Sequence, residues 1–381
     1  MARTLGHHHE SMSLGQKFGQ IIWSLVLLLA VTALVGVAML YSAANGSFDP
    51  WAWRQAVRFA AGVVLMIAIA LIDVRLLLRW SYAFYGVALA LLALVEVRGL
   101  SGMGAQRWLD LWLFQLQPSE VMKVALVLAL ARYYHGLTLE DTRRLRALVV
   151  PLLLLMAPAA LVLRQPDLGT AALLFLTSGA LLFAAGVRLR TFAAAAAAGI
   201  AAIPLGWQFL HDYQKQRIYT FLDPESDPLG AGYHILQSKI ALGSGGMWGR
   251  GFLNGSQSHL SFLPERQTDF IFTMLAEEFG LAGALTLLAL YVLILIYGMA
   301  ISLWSKSHFG RLVAVGVTTT FFIYVFINIA MVTGLIPVVG VPLPLVSYGG
   351  TAMMTIMIGA GLLASVYVHR DVEIPRGHGL L

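Results

Sequence analysis

The sequence contains no cysteine, and only 12% of its 381 residues are charged. Without cysteine the chain forms no disulfide, binds no metal through thiolates and has no thiol nucleophile. So little charge, with 59% hydrophobic residues and a mean hydropathy of +0.78, is too apolar for a water-soluble globular protein. The composition therefore predicts a protein that lies in a lipid bilayer.

Apolar runs long enough to cross a bilayer recur along the whole chain and predict an all-α polytopic membrane protein. We predict one transmembrane domain over 20–369, flanked by tails at 1–19 and 370–381. Three consecutive histidines in the first tail are typical of a purification tag. Helix-breaking residues divide the domain into ten candidate spans: 20–41, 57–72, 76–96, 120–134, 147–163, 170–187, 191–209, 269–301, 312–333 and 346–369.

An even number of spans places both termini on the same side of the membrane. With the termini in the cytoplasm, the inner segments hold fourteen Lys and Arg residues and the short outer loops hold five. Because cytoplasmic loops carry the excess of positive charge, we predict cytoplasmic termini. The net charge of +6 then reflects residues that meet anionic lipid headgroups, and we expect no nucleic-acid partner.

This topology places a large loop, about 210–268, outside the cytoplasm between the seventh and eighth spans. Loops of this length are usually functional or disordered. The amphipathic turn and glycines of "GYHILQSKIALGSGGMWGRGFLNG" indicate a folded cap instead. The last outer loop, "GLIPVVGVPLPLVSYGG", is too apolar to float in water, and its prolines break helix. We expect its backbone to line a cavity or to pack on other helices.

Charged side chains are costly at membrane depth, so each one near a span needs an explanation. Glu120 and Lys123 stand three residues apart on the fourth span, where they can face each other. They form either a structural ion pair or part of a substrate site. Arg107, beside Trp108 in the second outer loop, is either an interfacial anchor or the start of a pocket for an anionic headgroup.

Asp269 opens the eighth span within "FLPERQTDFIF". The unpaired N–H groups and the dipole of a helix start favour a negative charge, which is the ordinary explanation for this carboxylate. However, Glu265 and Arg266 crowd within two turns of it, and two more carboxylates follow. At about 100° per residue, Glu277 lies roughly 80° around the helix from Asp269 and Glu278 lies nearly opposite. We expect at most one of these two glutamates to share a site with Asp269.

Taken together, these motifs resemble the SEDS family, the shape, elongation, division and sporulation membrane proteins. The resemblance covers nearly the whole chain. It rests on "GAQRWLDLWLFQLQPSE", "QPDLGTA", "GLIPVVGVPLPLVSYGGT" and above all "FLNGSQSHLSFLPERQTDFIFTMLAEEFG". Within the family, "NGSQSHLSFLPE" is similar to the RodA branch rather than the FtsW branch.

The resemblance implies a peptidoglycan glycosyltransferase that polymerises lipid II at the outer leaflet of the bacterial cytoplasmic membrane during elongation. It also implies partners, namely a class B penicillin-binding protein and other membrane proteins of the elongation complex. The family's essential aspartate falls on Asp269, and its paired acid and lysine fall on Glu120 and Lys123. The resemblance marks six further residues as cavity positions: Arg54, Arg107, Gln165, Asp167, Glu265 and Ser347.

The chemistry of glycan extension explains why such residues are needed. A sugar hydroxyl attacks an anomeric carbon while a diphosphate leaves, so a carboxylate can take the proton and cations can balance the diphosphate. We expect Asp269 to be either this base or a ligand of a divalent cation such as Mg²⁺ or Mn²⁺. We expect Lys123, Arg107 or Lys239 near the phosphates. Gln267 stands where the family pattern usually has histidine, so an imidazole proton acceptor is missing at that position.

Two other functions fit the same sequence. A lipid flippase or another transporter would use intramembrane polar residues such as Asn328. A carrier, however, concentrates its polar groups near the midplane, and here most of them lie at the outer ends of spans. A non-catalytic scaffold that recruits a single-span partner would tolerate changes at Asp269.

Overall fold

The computed structural model describes residues 13–102, 105–110, 115–209, 212–224, 231–255 and 265–375. Most of these residues are helical, and a 3-10 helix covers Leu145–Leu148. The α-helices are α1 Leu14–Gly19, α2 Trp23–Ala43, α3 Ala52–Ala70, α4 Val74–Arg98, α5 Pro118–His135, α6 Leu139–Thr142, α7 Val149–Arg164, α8 Leu168–Ala185, α9 Leu189–Phe209, α10 Asp212–Leu222, α11 Ala231–Ser244, α12 Ile271–Trp304, α13 His308–Val332 and α14 Gly350–Val368.

Nine of the described helices are long and apolar enough to cross a membrane, which confirms the predicted polytopic all-α fold. The remaining predicted span lies on α5, whose 18 residues include Glu120, Lys123 and Arg132. Helix α5 packs against α4, α7, α8, α13 and α14, and 15 of its residues are buried. Protein therefore surrounds the charged side chains at the start of α5.

The second outer loop forms a small antiparallel sheet that the sequence did not lead us to expect. Strand β1, Leu100–Gly102, pairs with β2, Ala105–Asp110, and β2 pairs with β3, Gln115–Leu116. Strands this short hold too few residues to produce a clear alternation of polar and apolar positions. The sheet leads directly into α5 and places Arg107 near the start of that helix.

The described part of the long loop is folded against the bundle, as the sequence predicted. Its helix α11 packs on α12 and α13. The buried Ser238 hydroxyl lies 2.8 Å from Thr273 Oγ1 and donates to the Val332 carbonyl at 2.7 Å. These contacts join the loop to the start of α12 and to the end of α13.

Helix α12 is broken at Gly280, whose φ of 65° lies in the left-handed region. The glycine-rich segment 245–251 docks against this break, and Gly251 N donates to the Glu278 carbonyl at 2.9 Å. A Cβ on Gly249 would lie 2.1 Å from the same carbonyl oxygen. Because glycine has no Cβ, it allows the two backbones to approach this closely.

We expect Gly280→Ala to destabilise this docking. The added Cβ would lie 2.4 Å from Gly249 N, and the positive φ strains any L-residue with a side chain. Strain and overpacking of this kind typically cost about 1–3 kcal/mol each. Thermal unfolding in detergent should show a lower Tm, and limited proteolysis should cut segment 245–251 faster.

The matched control is Gly243→Ala on α11, where a Cβ meets no atom within 4 Å. Equal Tm values and equal cleavage rates for both variants would contradict the close docking.

Candidate active site

Charged side chains from distant parts of the chain meet in one cavity of about 590 Å³. That volume lies within the range of roughly 300–1,000 Å³ typical of ligand pockets. Three other cavities among the described residues are lined mainly by apolar side chains. The charged residues that line the large cavity are Arg107, Glu120, Lys123, Asp167, Glu265 and Asp269.

The turn that precedes α12 presents two of these carboxylates. It begins at Glu265, which has a φ of 58° that is unusual for a residue with a side chain. Thr268 stabilises the turn, because its N–H donates to the Glu265 carbonyl at 3.0 Å and its hydroxyl donates to Glu265 Oε2 at 2.9 Å. Gln267 Nε2 also lies 3.5 Å from Glu265 Oε2. The glutamine at this position therefore contacts Glu265.

Asp269 lies just before the span Ile271–Trp304, with its carboxylate in a desolvated position. Burial, together with the nearby Glu265 carboxylate, raises the pKa of Asp269 from its ordinary 3.8 to about 6. A carboxylate with this pKa is ionised at neutral pH and still basic enough to accept a proton.

The last outer loop, 333–349, forms the wall beside this turn. Ser347 Oγ donates to the Thr268 carbonyl at 2.5 Å, and Tyr348 N donates to the Gln267 carbonyl at 2.8 Å. Val338 to Pro342 line the cavity, and a Cβ on Gly340 would lie 3.5 Å from Asp269 Oδ2. The loop thus lines a cavity, one of the two arrangements predicted for it.

Glu120 and Lys123 form a buried ion pair on α5, with 2.7 Å between Glu120 Oε1 and Lys123 Nζ. Tyr324 on α13 completes the group, since its hydroxyl donates to Glu120 Oε2 at 2.7 Å and accepts a hydrogen bond from Lys123. All three side chains line the cavity. The pair is therefore satisfied within the protein and lies at the wall of the cavity.

Arg107 and Asp167 also line the cavity and lie close to each other. The Arg107 guanidinium donates to the Gln165 carbonyl at 3.2 Å and to the Pro166 carbonyl at 2.7 Å, and Nε lies 4.0 Å from Asp167 Oδ2. Asp167 caps α8 by accepting from Thr170 N at 3.0 Å. A guanidinium has five N–H donors, so Arg107 keeps donors for an anion in the cavity.

Six of the ten predicted site residues line this cavity, and the other four lie outside its lining. Arg54 is exposed near the start of α3, and Lys239 is exposed on α11 beside Gly334. The side-chain amide of Gln165 donates to the Leu92 carbonyl at 3.3 Å and so binds α4. Ser347 is buried between backbone groups of Leu343 and Thr268.

Neither Glu277 nor Glu278 lines the cavity, which agrees with the expectation that at most one of them shares the site with Asp269. Both are completely buried on α12. Glu278 accepts a hydrogen bond from Ser42 on α2. The docked segment 245–251 covers the backbone of this turn, since Arg250 N donates to the Glu277 carbonyl at 3.0 Å and Gly251 N donates to the Glu278 carbonyl at 2.9 Å.

Two contributors to the site were missed from the sequence. Tyr324 stands four residues before Asn328 on α13, and this polar spacing was the available signal. Arg58 on α3 stacks over the ring of Tyr348, which lines the cavity, with 4.7 Å from Cζ to the ring centroid.

The chain resembles known proteins over most of its length. Residues 19–372 match the model of the FtsW, RodA and SpoVE family of cell cycle proteins. The peptidoglycan glycosyltransferase MrdB of Escherichia coli K12 is 46% identical over 348 residues, which are 91% of this chain and 94% of the relative. The MrdB protein of Helicobacter pylori 26695 is 38% identical over 338 residues, 84% of each chain.

Solved structures give the same result. A chain of a peptidoglycan synthase complex that coordinates polymerisation and crosslinking superposes with a TM-score of 0.81 and 33% identity, covering 92% of this chain and 98% of that one. The rod shape determining protein RodA of Thermus thermophilus superposes with a TM-score of 0.68 and 30% identity, covering 92% and 97%. The chain therefore belongs to the FtsW, RodA and SpoVE family of cell cycle proteins, as its resemblance to the SEDS proteins predicted.

Proposed function

We propose that the chain is a membrane-embedded peptidoglycan glycosyltransferase that polymerises lipid II into glycan strands during cell elongation. One observation carries the proposal: Asp269, a desolvated carboxylate with a raised pKa, faces the same cavity as the cations Arg107 and Lys123. The relatives named peptidoglycan glycosyltransferases and the rod shape determining protein support both the reaction and its place in elongation.

The reaction needs a group that accepts the hydroxyl proton and cations that stabilise the departing diphosphate, and these residues supply both. The attacking sugar hydroxyl forms a bond to the anomeric carbon of the donor, and the bond from that carbon to the diphosphate breaks. Asp269 accepts the hydroxyl proton, a step that typically contributes about 10²- to 10⁴-fold in rate. Arg107 and Lys123 stabilise the departing diphosphate through charge-assisted hydrogen bonds. A single in-line displacement inverts the donor and requires no covalent enzyme intermediate.

A divalent cation, Mg²⁺ or Mn²⁺, is part of this proposal. Among the described residues there is no group of three or more metal-binding side chains. Mg²⁺, however, is usually held by one or two carboxylates together with substrate phosphates. If Asp269 is a metal ligand rather than the base, Asp269 and Glu265 offer such a pair at the cavity and would hold the ion, which would add positive charge near the diphosphate.

The substrate explains why the site is found on a membrane protein. Its lipid stays in the bilayer while its sugars project outward, so charged groups are needed at helix ends rather than at the bilayer centre. We propose that the cavity opens at the outer face of the bacterial cytoplasmic membrane, with both termini in the cytoplasm. A class B penicillin-binding protein is the proposed partner, together with other membrane proteins of the elongation complex.

Reconstitution in liposomes separates this function from its alternatives. The purified chain, its penicillin-binding partner and Mg²⁺ are supplied with fluorescently labelled lipid II, and glycan polymer and lipid translocation are both measured. We expect polymer without net translocation. Translocation without polymer would favour a flippase, and the absence of both would favour a scaffold.

The polymerisation rate should depend on pH in a way that reflects Asp269. Because its pKa is about 6 and either role requires the ionised form, kcat/KM should fall as the pH drops below about 6. Glu265→Gln removes a negative charge that raises this pKa, so the acid limb should move to lower pH. An acid limb that stays in place, or moves to higher pH, would contradict the assignment of this titration to Asp269.

A further inference from the structure

Asn328 on α13 is fully buried and is not explained by the reaction described above. Its side-chain amide donates two hydrogen bonds, to the Asp269 carbonyl at 3.0 Å and to the Val341 carbonyl at 2.7 Å. Among the described residues, Oδ1 has no hydrogen-bond partner. Burying a polar side chain with one unsatisfied atom costs free energy. The burial of an asparagine at this position therefore needs a structural or functional reason, and its two donated hydrogen bonds point to one.

The two acceptors belong to the two chain segments that form the wall around the candidate catalytic carboxylate. Asp269 ends the turn before α12, and Val341 lies in the loop 333–349 next to Gly340. Both Asp269 and Val341 line the cavity, whereas Asn328 does not. The amide therefore acts on backbone atoms from behind the wall and contacts no substrate.

Helix α13 contacts both the Asp269 turn and the Glu120–Lys123 pair, through two residues on one of its faces. Tyr324, one turn earlier than Asn328, binds the Glu120–Lys123 pair through its hydroxyl. Four residues of helix separate the two positions by about 6 Å along the axis. A single rigid helix thus fixes where Asp269 lies relative to the ion pair on α5.

We propose that Asn328 is a positioning residue, which holds the backbone of Asp269 so that its carboxylate points at the reacting hydroxyl. The inference rests on the proposed role of Asp269. Misplacing a reacting group by about 1 Å can cost on the order of 10²-fold in rate. Loss of the two amide bonds should therefore act on kcat far more than on KM.

Asn328→Leu removes both donors at nearly constant volume and is the first test. In the liposome assay we expect kcat to fall about 10- to 100-fold while KM for lipid II changes less than about threefold. Asn328→Ser is the second variant, in case the leucine variant does not fold. Its smaller side chain leaves room for water beside the carbonyls, and we expect a smaller fall in kcat with a native Tm.

The matched control is Thr320→Val on the same helix, which deletes a buried hydroxyl that donates to Gly316 O at 2.8 Å, away from Asp269. It should lower Tm without lowering kcat. The proposal is overturned if a folded Asn328 variant keeps native kcat, or if kcat and KM change as they do in the control. If Asp269→Asn itself retained activity, the role of Asp269 would fail instead, so the two failures are distinguishable.

Discussion

Asp269→Asn should reduce the rate of glycan polymerisation by at least about 10²-fold, and by as much as about 10⁴-fold, without unfolding the protein. Asparagine has nearly the same shape as aspartate, but its amide can neither accept the hydroxyl proton nor supply the negative charge that a metal ion requires. Both proposed roles of Asp269 are therefore lost together.

The thermal stability of this variant should not fall with its activity. Burial raises the pKa of Asp269, so the charged carboxylate is disfavoured in the folded protein. Replacing it with a neutral amide removes this unfavourable charge, and Tm should stay the same or rise. The same substitution at Asp73, which caps α4 through a bond to Arg75 N, is the matched control because asparagine also caps helices. Asp73→Asn should leave the rate unchanged.

The second large effect is expected at the buried ion pair. Lys123→Met should destabilise the protein by about 3–5 kcal/mol, because it leaves Glu120 as an uncompensated buried charge. Glu120→Gln leaves Lys123 as an uncompensated buried charge and should destabilise the protein by a similar amount. Thermal unfolding of the two single variants in detergent measures both effects.

The double variant Glu120→Gln/Lys123→Met separates the structural role of the pair from its role toward the substrate. With both charges removed, neutral side chains of similar size fill the same space, and most of the lost stability should return. Polymerisation should remain strongly reduced, because Lys123 is one of the cations that face the cavity. A double variant that recovers both stability and activity would show that the pair is only structural.

Local sequence patterns predicted the parts of the site that lie close together in the chain. Glu120 and Lys123 were found because a spacing of three residues on a helix brings side chains together, and Asp269 because a charge opens an apolar span. The ten-span outline followed from apolar runs, although α5 is enclosed by protein and differs from the other spans in its charge content.

Contacts between distant segments could not be predicted in this way. Tyr324 joins the ion pair from 201 residues further along the chain than Lys123, and no local pattern carries that information. The direction in which a side chain points could not be predicted either. Gln165 lies in a turn beside the cavity, yet its amide binds α4. Helical spacing likewise could not tell that neither Glu277 nor Glu278 faces the cavity, because the docked segment 245–251 is visible only in the tertiary structure.

The most direct test of the account is the yield of glycan polymer that the purified native chain and its Asp269→Asn variant make from labelled lipid II. The two proteins are assayed in parallel with the same partner and the same Mg²⁺ concentration. Their Tm values are measured to show that both are folded. We predict polymer from the native chain and at least about 100-fold less from the variant. Equal polymer from both proteins would contradict the role of Asp269 and, with it, the proposed active site.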